Sequence, residues 1–256
     1  MTVEVTDPTA FVLANAPAIG VPLESERLTV SLEGRELAVR ELAEQPLTRL
    51  RLFEAPSGLV TIDYSAVVFG RAEPVAVHAT EAIIHLRPSR YVQSDTLTPF
   101  ARDTFPHRDT RRLVREVSAW VHDHLEYTAD ATTPTGGAVE TLDARAGVCR
   151  DYAHLTAALL RALDVPARLV SVYAPQLDPM DFHAVVEALV DGRWVVVDST
   201  RLAPRAAMVR IATGRDATDT AWLTNTLSDV ALLTLFVDAT ADEVFTDDPD
   251  ELVELS

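Results

Sequence analysis

Lysine is missing from this chain, so all 22 fixed positive charges are arginines, against 39 aspartates and glutamates. The formal net charge of −17 disfavours binding to nucleic acid or to an anionic membrane surface, because phosphate groups require a concentrated positive face. The absence of lysine is also typical of a GC-rich bacterial genome. We therefore expect a bacterial protein with neither of these partners.

Cysteine occurs once, as Cys149, which excludes a disulfide within the chain and any zinc site built from several cysteines. Phosphate-binding glycine loops and twelve-residue calcium loops are missing as well. His122 and His124 are close in sequence, but both fall on the polar side of a predicted helix without a third ligand nearby, which favours surface histidines. No metal or other cofactor is expected.

Long apolar runs are also absent, since none approaches the ~20 residues that cross a bilayer. The first residues are acidic and lack the basic and apolar regions of a secretory signal. We therefore expect a cytoplasmic protein.

The first part of the chain is typical of β structure. Apolar and polar residues alternate in short runs that glycine and proline separate, a pattern that favours a small antiparallel sheet or sandwich. The runs cover residues 27–32, 47–53, 59–69 and 75–86. The sequence therefore predicts a β-rich domain over residues 1–88.

After residue 88 the pattern changes to helices followed by strands. A helix is predicted from Asp109, with apolar residues at three- and four-residue steps, and a second from about Gly147 to Leu163. The strands that follow cover 167–174, 183–190, 193–198, 207–213 and 232–237. Helices followed by antiparallel strands predict an α+β domain over residues 89–237.

The last nineteen residues, 238–256, contain eight acidic residues and no basic one. Such a composition is typical of a solvated end, so an acidic, mobile tail is predicted.

Cys149 is predicted to lie in the first turn of the second helix. The unpaired N–H groups and the dipole at that end of a helix favour the thiolate, which is the reactive form of cysteine. A lone cysteine is nevertheless more often a small buried apolar residue, and this position alone does not distinguish the two roles.

A hairpin is predicted around Asp191-Gly192, a strong signal for a two-residue turn. Its register pairs residues whose numbers sum to 383, so that Leu189 faces Trp194. His183 and Asp198 then lie on one face as diagonal neighbours, within reach of an imidazole–carboxylate hydrogen bond. A one-residue bulge would separate them. A thiol at a helix start with such a pair is the arrangement that nucleophilic catalysis requires.

Five segments together resemble the transglutaminase-like superfamily, in particular its bacterial branch with a β-rich N-terminal region. They are Gly147-Val-Cys-Arg-Asp-Tyr-Ala-His-Leu155, Ala157–Leu163, Val165-Pro-Ala-Arg168, Phe182-His-Ala184 and Val197-Asp-Ser-Thr200. The resemblance is clear over about residues 85–215. It implies a papain-like α+β core in which Cys149 is the nucleophile, His183 the base and Asp198 the orienting acid.

Two positions depart from the family pattern. Val185 stands where relatives carry an aromatic residue, and Ser199 stands where they favour proline. We expect both to affect the acyl pocket more than the triad, and Val185 to leave one wall of that pocket thinner, which favours hydrolysis over amine transfer.

The sequence thus predicts a thiol-dependent hydrolase of an amide or peptide bond, with a peptide or protein as its substrate. Two alternatives stay open at this point. One is an acyltransferase of the protein-glutamine transglutaminase type, and the other is a non-catalytic protein-binding module on the same fold. The sequence does not determine an oligomeric state.

Overall fold

The computed structural model describes residues 1–42, 47–226 and 228–255. Within these ranges the chain forms a β-sandwich and a unit in which helices pack on a four-stranded antiparallel sheet. The predicted α+β class is confirmed. Across the same ranges, each helix is too short or too polar to cross a membrane.

The sandwich consists of two antiparallel sheets. The first contains, in spatial order, β15 (Val230–Thr234), β1 (Thr2–Val5), β7 (Gly58–Val68), β3 (Leu23–Leu32) and β4 (Arg35–Glu36). The second contains β14 (Leu223–Thr226), β2 (Thr9–Leu13), β6 (Leu50–Ala55) and β5 (Arg40–Leu42). Alternate residues of both sheets point inward, as the period of two in the sequence requires. Phe11 stacks on Phe53 in this core, with ring centroids 4.7 Å apart.

Two of these strands come from the far end of the chain. β14 pairs with β2, and β15 pairs with β1. The prediction took 232–237 as a strand of the α+β domain, whereas the pairing places β15 in the sandwich; the predicted domain range 89–237 stays a prediction. The physical reason is that β1 and β2 would otherwise expose unpaired sheet edges. The predicted boundary at residue 88 stays a prediction.

Residues 75–86 also differ from the prediction of a strand. Residues 71–78 have no regular secondary structure, and helix α1 (Ala79–Ile84) follows. The alternation of apolar residues here is too short to exclude a helical turn.

The second unit is built around helix α5 (Cys149–Ala162), which packs on a sheet. That sheet contains, in spatial order, β13 (Val209–Gly214), β10 (Ala167–Tyr173), β11 (His183–Val190) and β12 (Arg193–Val197). The remaining elements are α2 (Ser94–Thr104), α3 (Thr110–His124), α4 (Ala138–Ala144), α6 (Ala217–Thr220) and the short parallel strands β8 (Glu126–Tyr127) and β9 (Ala146–Gly147). Helices and sheet cover α5 so completely that its side chains from Asp151 onward are buried.

The acidic tail is packed against this unit, whereas the sequence predicted a mobile segment over 238–256. Its last residue, Ser256, lies outside the described residues. The Val253 carbonyl accepts the N–H of Val196 on the edge strand β12 at 2.7 Å, and Leu255 is 3% exposed. The prediction used only the overall acidic composition of the tail. It therefore missed the apolar residues that cover this sheet edge.

Candidate active site

Cys149 is the first residue of α5, as predicted. Asp151 closes the preceding turn, because its carboxylate accepts the Val148 N–H at 2.9 Å. A Cβ atom at Gly147 would lie 2.6 Å from the Asp151 Cβ, so this approach requires glycine. The half-buried thiol is thereby held at a helix N-terminus, where the first N–H groups have no acceptor within the helix and the dipole favours a negative charge.

The predicted hairpin has the predicted register. β11 and β12 pair from Val190↔Arg193 to Val186↔Val197, and the regular ladder continues without a bulge. Asp191 and Gly192 form the turn with φ values of 50° and 75°. Both are in the left-handed region that a tight hairpin turn requires.

His183 and Asp198 meet just beyond the end of this ladder. The His183 Nε2 and the Asp198 Oδ2 are 2.9 Å apart, and both side chains are buried. The prediction that these two residues share one face of the hairpin is therefore confirmed.

The second oxygen of Asp198 is also fully hydrogen-bonded. Its Oδ1 accepts the N–H of Thr200 at 2.9 Å and the Thr200 hydroxyl at 2.7 Å. Burial alone would raise the pKa of Asp198, but the charge of His183 and the hydrogen bonds from His183 and Thr200 lower it below its ordinary value. The charge of His183 and these hydrogen bonds therefore keep the carboxylate ionised inside the protein.

His183 carries a proton at neutral pH for a related reason. Burial opposes its positive charge, yet the carboxylate of Asp198 and then the thiol of Cys149 raise the pKa of His183 to about 10. Nε2 faces Asp198, and in the described part of the chain Nδ1 has no nitrogen or oxygen partner. Nδ1 is therefore the nitrogen left for the Cys149 sulfur. The three predicted site residues are brought together in an arrangement that supports a thiolate beside an imidazolium.

Two comparisons with known proteins identify the fold. The family model of the transglutaminase-like superfamily matches residues 99–199. A crystal structure from Cytophaga hutchinsonii, described as a "putative cysteine protease", is 32% identical and superposes with a TM-score of 0.86 over 98% of this chain and 93% of that one. The chain belongs to the transglutaminase-like superfamily.

The curated relatives match a smaller part of this chain. An uncharacterized protein of Mycobacterium leprae is 27% identical over 145 residues, and one of Mycobacterium bovis is 32% identical over 122 residues. These matches cover 53% and 46% of this chain, and 52% and 38% of the two proteins. The chain spans about half, or less, of the length of the curated relatives it matches.

Ser199, which departs from the superfamily pattern, is buried and hydrogen-bonded. Its hydroxyl lies 2.8 Å from the Thr156 hydroxyl on α5, and its carbonyl oxygen lies 3.1 Å from Nδ1 of His122 on α3. The segment beside Asp198 is therefore tied to two helices. The prediction of two surface histidines holds for His124, whereas the half-buried His122 contacts this segment. No cluster of metal-ligating residues is found among the described positions.

Val185, the other departure from the superfamily pattern, does not line the site. Its side chain is 1% exposed and packs in an apolar cluster with Val170, Val172 and Val196. The expectation that Val185 thins a wall of the acyl pocket is wrong, because apolar side chains of the neighbouring strands pack around this residue and bury it. Val185 therefore gives no reason to favour hydrolysis over amine transfer.

Sequence reasoning missed the contribution of Thr200 to the site. This residue was noted only as the end of a family motif, yet it donates two hydrogen bonds to Asp198. A signal was present for one of them, since an aspartate side chain in a turn commonly accepts the backbone N–H two residues later.

Proposed function

We propose that this chain is a thiol hydrolase that cleaves an amide or peptide bond through an acyl-enzyme at Cys149. One observation carries the proposal: a half-buried cysteine at a helix N-terminus lies beside a buried histidine whose pKa is raised, and a carboxylate that accepts three hydrogen bonds supports this histidine. In this proposal Cys149 is the nucleophile, His183 the general acid and base, and Asp198 the residue that orients the imidazole.

In the acylation step, the Cys149 thiolate attacks the carbonyl carbon of the substrate and the carbonyl π electrons move onto oxygen. The tetrahedral adduct then collapses, the C–N bond breaks, and the amine leaves with a proton from the His183 imidazolium. Asp198 holds the imidazole in the orientation that this transfer requires, since its oxygen binds Nε2 and leaves Nδ1 for the proton transfer.

In the deacylation step, the now neutral His183 removes a proton from water, and the resulting hydroxide attacks the thioester. The acid product leaves and the thiolate–imidazolium pair is restored. The partial exposure of Cys149 supports access of water to the thioester.

One point favours peptide hydrolysis over amine transfer. The Cytophaga hutchinsonii protein, which matches nearly the whole chain, is described as a "putative cysteine protease". Val185 is buried and does not favour either hydrolysis or amine transfer.

The direct test is cleavage of a degenerate peptide library by the wild-type protein and by Cys149→Ala. New amino termini are detected by amine labelling and sequenced by mass spectrometry. We expect cleavage by the wild-type protein only. Equal cleavage by both proteins would show that the activity does not arise at Cys149.

Acyl transfer is tested separately with a glutamine peptide, a labelled primary amine and parallel measurement of released ammonia. Amine incorporation that exceeds hydrolysis would assign the protein to the transferases instead. Self-crosslinking cannot be used to measure acyl transfer by this protein, because the chain has no lysine side chain to act as acceptor.

The non-catalytic alternative is tested by the reactivity of the thiol. We expect iodoacetamide to alkylate Cys149 at neutral pH faster than free glutathione, and His183→Ala to remove this advantage. His107→Ala, a half-exposed histidine outside the site, is the control. Slow alkylation of all three proteins, with no peptide cleavage, would favour a binding module.

A further inference from the structure

The tail is attached to the strand that leads to Asp198. Val196, two residues before Asp198 on the edge strand β12, donates its N–H to the Val253 carbonyl at 2.7 Å. The carbonyl of Val196 accepts a hydrogen bond from Nη1 of Arg205 at 3.2 Å. Both backbone groups that Val196 turns away from β11 are therefore bound by groups outside the sheet. The position of this strand end thus depends on the tail and on Arg205.

Arg205 joins the strand to the tail. It is 6% exposed, and its guanidinium donates from Nε to the carboxylate of Asp247 at 2.9 Å and from Nη2 to the Asp248 carbonyl at 2.6 Å. The three nitrogens of one side chain therefore contact Val196 on the strand and two consecutive residues of the tail. Because the guanidinium is planar and rigid, these contacts fix the tail relative to the strand.

The tail is also attached to the loop that leads to His183. In this loop, between β10 and β11, the amide of Gln176 forms two hydrogen bonds with the backbone of Phe245. Oε1 accepts the Phe245 N–H at 2.8 Å, and Nε2 donates to the Phe245 carbonyl at 3.2 Å. Farther along the tail, Leu255 packs in one apolar cluster with Leu177 of the same loop. The tail therefore contacts the segments that precede both members of the imidazole–carboxylate pair.

A small cavity lies between the tail and Asp198. Its volume is about 20 Å³, which is room for about one water molecule. Asp198 and Ser118 of α3 line it together with Pro249 and Leu252 of the tail. The tail thus forms a wall between the buried carboxylate and bulk solvent.

We propose that the tail, through the pair of Arg205 and Asp247, positions Asp198 for the reaction and keeps bulk water from its contact with His183. The inference rests on the proposed function, since it assigns positioning residues to the same site. Attraction between the imidazolium and the carboxylate is stronger where water is excluded, and a small displacement of such a group costs a large factor in rate. Arg205 and Asp247 act through Val196 and the cavity wall, so they are positioning residues.

The test measures alkylation of Cys149 by iodoacetamide at neutral pH, because this rate reports the thiolate that His183 supports. We expect Asp247→Asn to slow alkylation about tenfold. Asp247→Glu, which keeps the carboxylate, should recover part of the rate. Asp250→Asn is the matched control, since it removes the same charge from another exposed position of the tail. Its rate should equal that of the wild type.

The same substitution is then made in the Asp198→Asn protein. If Asp247 acts through Asp198, the double variant should react at the rate of Asp198→Asn alone. A merely structural effect would instead change the rate by the same factor in both backgrounds. Circular dichroism melts establish that each variant is folded at the assay temperature. If Asp247→Asn does not fold, the exposed Gln176→Ala replaces it, with slowing of about twofold or more and the same dependence on Asp198 expected.

Each alternative result has a distinct meaning. An unchanged alkylation rate in folded Asp247→Asn, or in Gln176→Ala where that variant replaces it, would overturn the positioning role and leave the proposed function intact. Equal slowing with and without the Asp198 carboxylate would also overturn it, as would equal slowing by Asp250→Asn. A wild-type thiol that reacts no faster than free glutathione would refute the proposed function, and this inference with it.

Discussion

At the scale of single residues, Asp198 is distinguished by the completeness of its hydrogen bonding. One oxygen faces His183 and the other accepts two bonds from Thr200. A buried charge is tolerated only where its partners replace water, and here one of the partners is the imidazolium that the proposed mechanism uses.

Replacement of Asp198 by asparagine tests this role. A neutral amide cannot support the imidazolium, and its NH₂ group must face either His183 or the donors of Thr200. We expect kcat to fall by about 10³- to 10⁴-fold in a folded protein. Peptide cleavage and a thermal melt measure the two effects, with the exposed Asp143→Asn as control. Near-normal turnover would place this carboxylate outside the mechanism.

At the scale of elements, the position of the thiol depends on the turn that starts α5. The Asp151 side chain caps this turn from within the helix, and it lies so close to Gly147 that no side chain fits there. The hairpin of β11 and β12 then supplies the histidine and the carboxylate from one local register.

Gly147→Ala is the corresponding prediction. The added Cβ would lie 2.6 Å from the Asp151 Cβ, so the start of α5 must shift. We expect a loss of about 1–3 kcal/mol in the free energy of unfolding and slower alkylation of Cys149 by iodoacetamide. Adding Asp151→Ala should not recover the stability, since alanine keeps the Cβ atom that the new methyl group meets. Wild-type stability and labelling in the single variant would contradict this account.

At the scale of the whole molecule, the C-terminal part of the chain completes structures begun elsewhere. β14 and β15 extend the N-terminal sheets, and the tail covers the edge strand β12. In the tail, Asp247 pairs with the guanidinium of the buried Arg205 at 2.9 Å. Loss of the tail would leave this charge without its carboxylate partner, which is destabilising in a protein interior.

Leu255→Ala tests whether the tail is packed in solution. Leu255 is 3% exposed, so its truncation is expected to cost about 2–3 kcal/mol of unfolding free energy. Val244→Ala, at a tail residue that is 84% exposed, should have almost no effect. Denaturant unfolding of both variants distinguishes a packed tail from a mobile one, for which both changes would be close to zero.

The pH dependence of stability follows from three buried histidines. Burial lowers the pKa of His85 and of His154 to about 4, so the folded protein resists protonation that the unfolded chain accepts near 6.5. Their contribution is complete above pH 6.5 and is lost as the pH falls toward 4. His183 behaves in the opposite way. Its pKa is raised to about 10, so its contribution is complete below pH 6.5 and is lost as the pH rises through 10.

We therefore expect the melting temperature to fall between pH 6.5 and 4. His85→Phe, which keeps the edge contact with Trp194, should make this acid limb shallower. An acid limb of unchanged steepness in that variant would contradict the role of His85. Thermal melts at several pH values provide the measurement.

The sequence by itself determined the features that depend on neighbouring residues. The start of α5 and the two-residue turn at Asp191-Gly192 are set by local backbone preferences, so the position of Cys149 and the shared face of His183 and Asp198 were predictable. The family resemblance, carried by the same short segments, led to the correct superfamily.

Only the tertiary structure decided the features that depend on distant residues. It buries Val185 in the core, pairs β14 and β15 with the opposite end of the chain, and packs the acidic tail on β12. The hydrophobic period of a segment shows which residues share a face, but not which distant element covers that face. The composition of a charged segment likewise does not show which of its apolar residues pack against another element.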